Sequence, residues 1–497
     1  MSTVIANLLH RAIDLHQQGQ LSAAEDLYVQ VLQIDARQFD ALHLIGVIAQ
    51  QRGDFQSALN FFGKALAVDT QQAKLHCNLG ACLHQLERHT EALSCYELAL
   101  QLQEDYVLAW INRGNVLRSL DRFEEAILSY EKAMDLQIDE AEAYYQRGLT
   151  LQTMGLHEDA LLDFEDGMRW RPNEGRWHFA RGVSYQQQGM KEDAQQAYLA
   201  CLQLEPQYAP AHCNLAIIAK QLGHLEQALS HCEYAIAIND RFAGAYLQHG
   251  HVLKLMHRPQ DAASAYRTAG ECGIDTKHIA FLLASLGQAE VPEAAPSAYV
   301  RDLFDQYARH FDTHLQQQLQ YQIPQLLEAA IDRHLPQPVS TSLDLGCGTG
   351  LCGQFLKASS QQLTGVDISP AMLERAAQLS LYDRLVCADI QEFLKQETTR
   401  FDLIVMADVL VYFGKLDGLL ASCATHLNSG ALFAFSVEKC EEGEYQLQHS
   451  QRFAHSSAYL ESIALAQGWR ILEMRQQESR REGEQMVQAL VCVWQKP

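Results

Sequence analysis

A glycine-rich turn after a short apolar run is the segment of this 497-residue chain best suited to bind a ligand. Residues 343–350 read LDLGCGTG, the form of a strand that ends in a turn opening a helix. Because glycine has no Cβ atom, the backbone N–H groups of such a turn can approach a ligand closely. The turn therefore predicts a ligand site at the end of its strand.

Two acids follow at the ends of the next two apolar runs. Asp367 closes the run 363–367, and Asp389 closes the run 386–389. An acid at the second strand end, about 20 residues past such a turn, is placed to accept hydrogen bonds from both hydroxyls of a ribose. The acid at the third strand end can accept a hydrogen bond from an adenine amino group.

The glycine spacing argues against a nicotinamide cofactor. The dinucleotide pattern is G-x-G-x-x-G, and Leu351 occupies its last glycine position, so that the chain reads G-x-G-x-G instead. A single glycine-rich turn is weak evidence for a nucleotide site, and the acids at the next two strand ends strengthen that evidence.

Four ordered segments resemble the class I S-adenosylmethionine-dependent methyltransferases. They are the turn 343–350 and the segments 365–373, 388–390 and 401–405. The resemblance implies S-adenosylmethionine as cofactor, with Asp344 and the glycines around its methionine portion, Asp367 on the ribose, and Met372 near the adenine held by Asp389 and Ile390. The cofactor-binding residues it implies are Asp344, Gly346, Cys347, Gly348, Gly350, Asp367, Ile368, Met372, Asp389 and Ile390.

A helix before the first strand carries further candidates. Tyr307, Phe311 and Asp312 lie where such segments often fold over a bound cofactor, and Tyr307 is expected to contact it. Simple docking of this helix onto the sheet is the alternative. His310 and His314 are four residues apart, a spacing that can bind a metal, but no second cluster accompanies them and no metal is expected.

The methyl acceptor would bind at the same edge of the sheet. Asp408, just beyond the fourth strand, could position the acceptor or take its proton, or it could merely cap the next turn. The segments after the fourth and fifth strands supply candidates for the acceptor pocket: Tyr412, Glu438, Arg452, His455 and Tyr459. The basic residues Arg475, Arg480 and Arg481 alternate with glutamates and are expected in a solvated turn.

The elements around these residues alternate between strand and helix. Apolar runs predict seven strands, at 342–345, 362–367, 385–388, 402–406, 431–437, 471–473 and 487–494. Helical stretches between most of them predict a Rossmann-like α/β domain, with a mostly parallel seven-stranded sheet and an antiparallel end hairpin around Gly483.

The N-terminal half is a repeat. Eight units of 34 residues follow one another without insertion, beginning at Ile5, Phe39, Ala73, Val107, Ala141, Gly175, Ala209 and Ala243. The eighth position is glycine or alanine, the twentieth is always alanine, and the twenty-fourth is aromatic except at Cys232. This pattern predicts helical hairpins packed closely at the small residues and resembles the tetratricopeptide repeat.

The first helix of each hairpin faces a concave surface in such solenoids, which commonly holds a peptide or protein. The sixth position offers a partial ladder of amides, Asn78, Asn112, Gln146 and Asn214, similar to the asparagine ladder of O-linked N-acetylglucosamine transferases. Leu44 and Ala180 break the ladder. Peptide binding on this face and an ordinary solvated scaffold both remain open.

The chain as a whole resembles a predicted methyltransferase group often fused to tetratricopeptide repeats, in residues 299–307, 311–315, 406–413 and 435–460. The group defines a fold and a cofactor but no settled acceptor. The expected fold class is α + α/β, with a solenoid over 1–287, a linker over 288–297 marked by two prolines, and a class I methyltransferase domain over 298–497.

Charge and cysteine use restrict the partners and the compartment. A formal charge of −23 disfavours duplex nucleic acid. The thirteen scattered cysteines, without a C-x-x-C pair, a signal peptide or an apolar run of membrane length, predict a cytoplasmic protein with no membrane partner. Three functions stay open: methylation of a small molecule, methylation of a protein brought by the solenoid, and an adaptor whose methyltransferase domain is vestigial.

Overall fold

The computed structural model describes residues 2–308, 311–313, 315, 319–335, 337–482 and 485–496. It forms two compact units, residues 1–218 (unit 1) and residues 219–497 (unit 2). The boundary falls inside the first helix of the seventh repeat, Ala209–Gln221.

Each predicted repeat is a pair of helices. From the second repeat onward, the first helix begins at the residue where the repeat pattern begins. The helices are α1 Ser2–Gln17, α2 Leu21–Ile34, α3 Phe39–Gln51, α4 Phe55–Leu66, α5 Ala73–Gln85, α6 His89–Leu102, α7 Val107–Ser119, α8 Phe123–Leu136, α9 Ala141–Thr153, α10 His157–Trp170, α11 Gly175–Gln187, α12 Lys191–Leu204, α13 Ala209–Gln221, α14 Leu225–Ile238, α15 Ala243–Leu255 and α16 Pro259–Glu271.

The small residue at the eighth position lies directly against the aromatic ring at the twenty-fourth. A Cβ atom added to Gly114 would lie 2.4 Å from Tyr130 Cε1, and one added to Gly182 would lie 2.5 Å from Tyr198 Cε1. The seventh repeat has Ala216 with Cys232, so a larger residue at the eighth position accompanies a smaller one at the twenty-fourth. Close approach of two helices thus explains the pattern.

The turn inside each hairpin ends the first helix in the left-handed conformation. Five repeats place glycine at this fifteenth position, with φ between +75° and +78°. The other three place Glu87, Asp121 and His257 there, with φ of +60°, +56° and +58°. The turn geometry is therefore common to all eight repeats, and glycine is its least strained solution.

Unit 2 continues after the repeats with an α/β domain. Its helices are α17 Thr276–Ser285, α18 Ser297–Tyr307, α19 Phe311–Thr313, α20 Ile323–His334, α21 Gly353–Ser359, α22 Pro370–Gln378, α23 Ile390–Gln396, α24 Asp417–Thr425 and α25 Ser457–Gln467. Its strands are β1 Val339–Leu345, β2 Ser360–Asp367, β3 Arg384–Cys387, β4 Phe401–Met406, β5 Leu427–Lys439, β6 Tyr445–Leu447, β7 Phe453–His455, β8 Arg470–Glu482 and β9 Gln485–Gln495.

The strands form one sheet in the order β3-β2-β1-β4-β5-β7-β6, with β9 paired to β5 and to β8. Strands β1 to β5 run parallel to one another, β9 is antiparallel to β5, and β8 and β9 form the predicted antiparallel hairpin. The predicted fold class is confirmed, but the described sheet has nine strands instead of seven. The additional strands, β6 and β7, are three residues each, too short to give an alternating pattern. Gly483 lies outside the described residues.

The order reverses at β1, because β2 and β4 flank it on opposite sides. In open α/β sheets the crevice at such a reversal, beyond the carboxyl ends of the strands, is where ligands bind. The glycine turn follows β1 directly and so opens onto this crevice.

The segment expected as a linker packs against the α/β domain. Ala295 N donates a hydrogen bond to Tyr412 O at 2.8 Å, and Glu293 O accepts from Gly414 N at 2.7 Å. In α17, Phe281 is fully buried, with its ring 5.3 Å from that of Tyr299. The α/β core of unit 2 therefore extends into the residues before 298.

Candidate functional site

A cavity of about 270 Å³ opens at the carboxyl edge of the sheet. Its wall combines the glycine turn, the ends of β2 to β4, helix α18 and the segment before β7. The lining residues are Ala294, Ala295, Ser297, Val300, Leu303, Phe304, Tyr307, Phe311, Leu315, Leu319, Tyr321, Gly346, Gly348, Asp367, Ile368, Asp389, Ile390, Gln391, Ala407, Asp408, Val409, Tyr412, Phe413, Arg452 and Arg480.

Three glycines in the turn, Gly346, Gly348 and Gly350, have backbones that side chains rarely adopt. Gly346 has φ of +74°, and a Cβ atom there would lie 2.3 Å from Val409 Cγ2. Gly348 has φ of +54°, and a Cβ atom there would meet no atom within 4 Å. The second glycine therefore leaves open space beside the cavity, where a ligand can approach the backbone.

Asp344 lies buried at the end of β1. Tyr382 donates its hydroxyl to Asp344 Oδ2 at 2.7 Å, while Oδ1 has no hydrogen-bond donor within the described residues. Burial, with a smaller contribution from the charge of Asp367, raises the pKa of Asp344 to about 7. A buried acceptor of this kind fits a ligand that brings an N–H donor.

Asp367 and Asp389 reach the cavity from neighbouring strands. Asp367 is buried and accepts from Gly348 N at 2.8 Å and Ser369 N at 2.9 Å. Its burial raises its pKa, although these N–H donors act in the opposite direction. Asp389 accepts from Gln391 N at 2.8 Å, capping α23, and from Ser297 Oγ at 2.8 Å. The cap is a structural reason for this acid that sequence reasoning did not include.

The structure brings most, but not all, of the expected cofactor residues to the cavity. Gly346, Gly348, Asp367, Ile368, Asp389, Ile390 and Tyr307 line it. Asp344, Cys347, Gly350 and Met372 do not line it. Met372 is fully buried inside α22, and burial raises the pKa of the Cys347 thiol well above its usual value, which keeps it protonated.

Helices α18 and α19 are tied to the loops that follow β1 and β2. Asp305 accepts from Ser369 Oγ at 2.5 Å, and Asp312 accepts from Thr349 Oγ1 at 2.5 Å. The Phe304 ring lies 5.6 Å from that of Tyr412, which also lines the cavity. The segment of α18 and α19 therefore both covers the cavity and packs against the edge of the sheet.

Four charged side chains form a cluster at the cavity, and all of them except Glu438 line it. We call Asp408, Glu438, Arg452 and Arg480 the charged cluster. Glu438 Oε1 accepts from Arg452 Nε at 2.5 Å and from Arg480 Nη1 at 2.7 Å, and Arg452 Nη2 lies 2.6 Å from Asp408 Oδ1. Burial lowers the pKa of Arg452, but Asp408, Tyr412 and Glu438 together raise it well above its usual value.

The position of Arg480 corrects an expectation. The sequence favoured a solvated turn for this residue, whereas Arg480 is only 6% exposed and lines the cavity. It lies within β8 at a register shift between Glu478 and Arg480, where Ser479 and Arg480 are both buried, whereas Arg475 and Arg481 are exposed. The alternation of charges along the hairpin masked one inward-facing arginine.

Of the acceptor-pocket candidates, Tyr412 lines the cavity, and burial raises the pKa of its phenol. His455 and Tyr459 do not line it. His455 Nε2 lies 3.0 Å from Gly414 O, and Tyr459 donates to Asp417 Oδ2 at 2.7 Å while accepting from Leu416 N. Both side chains hold loops together beside the site.

In unit 1 each of the four amides already has a protein partner. Asn78 Nδ2 lies 2.9 Å from His43 Nε2, Gln146 donates to Glu142 at 2.7 Å, and Asn214 donates to Tyr198 Oη at 3.0 Å. Asn112 has a longer contact, of 3.8 Å, to Cys77 Sγ. All four are partly buried, so a peptide would meet amides whose orientation is already fixed.

Within the described ranges, no helix is both long and apolar enough to cross a bilayer. The same residues contain no group of three or more His, Cys, Asp or Glu side chains arranged to hold a metal ion. His310 and His314 lie outside the described residues.

Family models match both halves of the chain. A model described as a methyltransferase domain matches residues 343–433, and models described as tetratricopeptide repeats match 71–139, 141–174 and 178–208. The chain is a tetratricopeptide-repeat protein with a methyltransferase domain.

Curated relatives match the methyltransferase part. Methyltransferase-like protein 27 of Homo sapiens is 35% identical over 124 residues, 24% of this chain and 49% of that protein. Ubiquinone biosynthesis O-methyltransferase of Coxiella burnetii (strain Dugway 5J108-111) is 32% identical over 99 residues, 19% of this chain and 42% of that protein. The chain thus spans about half the length of these relatives or less.

Among solved structures, YrrB, described as a TPR protein with an unusual peptide-binding site, is similar to the repeats. It is 24% identical, with a TM-score of 0.31, and the match covers 37% of this chain and 95% of that one.

Proposed function

We propose that the chain is an S-adenosylmethionine-dependent methyltransferase whose cofactor binds in the cavity at the ends of β1, β2 and β3. The observation that carries the proposal is the meeting of the open turn at Gly348 with Asp367 and Ile390 in one covered cavity. The methyltransferase match over 343–433 supports the same activity. An adaptor with a vestigial domain is not favoured, because the turn and both strand-end acids are intact.

In this proposal Asp367 accepts from the ribose hydroxyls, and Ile368 and Ile390 flank the adenine. Asp344, whose Oδ1 has no hydrogen-bond donor among the described residues, accepts a hydrogen bond from the amino group of the methionine portion. Asp389 mainly holds the start of α23 and Ser297, which sets the width of the adenine end. Tyr307 and Phe311 on the covering segment exclude water.

When bound, S-adenosylmethionine supplies a methyl group already activated on a sulfonium. The chain's own residues need only orient the acceptor and keep the site dry. Since Asp408 is engaged by Arg452, we assign it a positioning role instead of that of a base. The names of the relatives do not point to one common acceptor.

Titration calorimetry of the full chain with S-adenosylhomocysteine, which lacks the methyl group, tests the cofactor site. Asp367→Ala should lower affinity at least about tenfold, because hydrogen bonds to a charged acceptor contribute about 1.5–3 kcal/mol each. Asp383→Ala is the matched control, since Asp383 accepts from Leu363 N at 2.8 Å and does not line the cavity. Equal affinities in the two variants would remove Asp367 from the site.

We further propose that the amide face of unit 1 binds an extended peptide. Replacing Asn78, Asn112, Gln146 and Asn214 together by alanine should reduce capture of a protein partner, because each lost amide contact is worth about 0.5–1.5 kcal/mol. Affinity for S-adenosylhomocysteine should not change. Pull-down with quantitative mass spectrometry on both forms is the measurement.

Four amides on second helices serve as the control for that experiment. Gln30, Asn60, Gln101 and Gln196 are exposed, and their replacement by alanine removes the same groups from another face. An identical partner list for the parent and the first variant would mean that the ladder amides are ordinary solvated residues of the scaffold.

The cysteine content supports a reducing compartment, and we propose the cytoplasm.

A further inference from the structure

Arg452 is a buried cation whose hydrogen-bonding capacity is not filled by the residues that the structure describes. Its Nε donates to Glu438, and its Nη1 lies 3.5 Å from Tyr412 Oη, a long contact. Its Nη2 forms an ion pair with Asp408 Oδ1 at 2.6 Å and has no further acceptor among the described residues. Since a guanidinium carries five N–H groups, some of those on Nη1 and Nη2 have no close acceptor there. Leaving such N–H groups unpaired is costly, so the site is built for an incoming acceptor group.

The sheet order separates Arg452 from the proposed adenosine end. Asp389 follows β3 and Asp367 follows β2, whereas Asp408 follows β4, Glu438 lies on β5 and Arg452 directly precedes β7. Adjacent strands are about 4.8 Å apart, so β5 lies roughly 10 Å beyond the glycine turn at β1. The charged cluster is therefore on the far side of the turn from the ribose, where the methyl acceptor would enter.

The surroundings of Arg452 favour a planar anion with an apolar body. The two terminal nitrogens of a guanidinium form a flat fork that matches the two oxygens of a carboxylate. Val300, Phe304 and Tyr412 supply apolar walls beside it. Asp408 forms an ion pair with the guanidinium and holds it in place, and the φ of Asp408 is +60°, in the left-handed region.

We propose that Arg452 binds a carboxylate on the methyl acceptor, so that the acceptor is an organic acid with an apolar body. This inference rests on the proposed methyltransferase function. Asp408 and Glu438 are positioning residues for the guanidinium. The cofactor also carries a carboxylate, on its methionine portion, and the experiment separates the two sources.

Matched pairs of carboxylates and amides test the site on the full chain saturated with S-adenosylhomocysteine. Butyrate, hexanoate and phenylacetate are each compared by calorimetry with butyramide, hexanamide and phenylacetamide. At least one carboxylate should bind about tenfold or more tighter than its amide, and Arg452→Gln should abolish that preference. Arg384→Gln, at an arginine paired with Glu397 and outside the cavity lining, should preserve it.

A second variant gives an effect in the opposite direction, which misfolding cannot imitate. Asp408→Asn removes the negative charge that competes with an incoming carboxylate. Its amide oxygen can still accept from the guanidinium and hold it in place, and asparagine tolerates the left-handed backbone. Carboxylate affinity should rise severalfold. Weaker carboxylate binding in this variant, equal binding of carboxylates and amides, or no binding of any member of the series overturns the proposal.

The source of the carboxylate is separated with 5′-methylthioadenosine, which lacks the amino-acid portion. If Arg452→Gln weakens S-adenosylhomocysteine tenfold and leaves 5′-methylthioadenosine unchanged, Arg452 holds the cofactor and the inference is overturned. If the parent chain binds neither nucleoside, the methyltransferase proposal fails separately. The carboxylate series on the unsaturated chain then still decides the role of Arg452.

Discussion

Phe281→Ala is expected to destabilise unit 2 by about 3–5 kcal/mol, the usual cost of removing a buried phenylalanine. Phe281 is fully buried in α17, with its ring 5.3 Å from Tyr299 and 6.2 Å from Phe453. The same cluster includes Tyr412 and Phe304 at the cavity wall. Urea unfolding of the full chain, followed by circular dichroism, measures the change.

Leu465→Ala is the control, because Leu465 is 85% exposed in α25 and its truncation should be nearly neutral. An unchanged unfolding curve for Phe281→Ala would mean that α17 is not part of the α/β core.

The packing of Phe281 also determines where a stable fragment of unit 2 should begin. A fragment starting at residue 298 lacks Phe281 and the contacts of Glu293 and Ala295, and we expect it to be less stable than one starting at residue 219.

Gly114→Ala should destabilise unit 1 by about 1–3 kcal/mol. The added methyl carbon would lie 2.4 Å from Tyr130 Cε1, and Tyr130 is fully buried with its hydroxyl donating to Asn115 at 2.9 Å. The ring therefore cannot move aside without loss. This cost outweighs the gain in helix propensity of about 1 kcal/mol that alanine normally brings over glycine.

Gly63→Ala gives that gain without the clash. Gly63 lies in α4, and a Cβ atom there would meet no atom within 4 Å. Thermal melting of both variants should show opposite shifts, upward for Gly63→Ala and downward for Gly114→Ala. Shifts of the same sign would contradict the proposed packing of the eighth position against the twenty-fourth.

The repeats allowed the helices of unit 1 and their packing to be predicted from the sequence. A single helical hairpin is ambiguous, but eight copies with a fixed small residue and a fixed aromatic identify both helices and the contact between them. Even the exception is informative, since Ala216 and Cys232 differ from the other repeats in opposite directions. What the pattern does not reveal is that the ladder amides are engaged by their own neighbours, such as His43 and Tyr198.

In the α/β domain, the sequence predicted the site residues that directly follow a strand. The glycine turn, Asp367 and Asp408 stand directly after apolar runs, and the parallel sheet brings those ends to one edge. Contacts between residues far apart in the sequence could not be predicted from it. Arg480 meets Glu438 across 42 residues, and Phe281 meets Phe453 although no motif links them. Such pairs depend on the order of strands in the sheet, which local spacing does not encode.

The most direct measurement is a crystal structure of the full chain with S-adenosylhomocysteine. The account predicts the ligand in the cavity, with its ribose hydroxyls on Asp367, its adenine between Ile368 and Ile390, and its amino-acid portion at the turn of Gly346 and Gly348. Electron density for the ligand at another place, or an empty cavity at a concentration that saturates binding in solution, would contradict the assignment of this site.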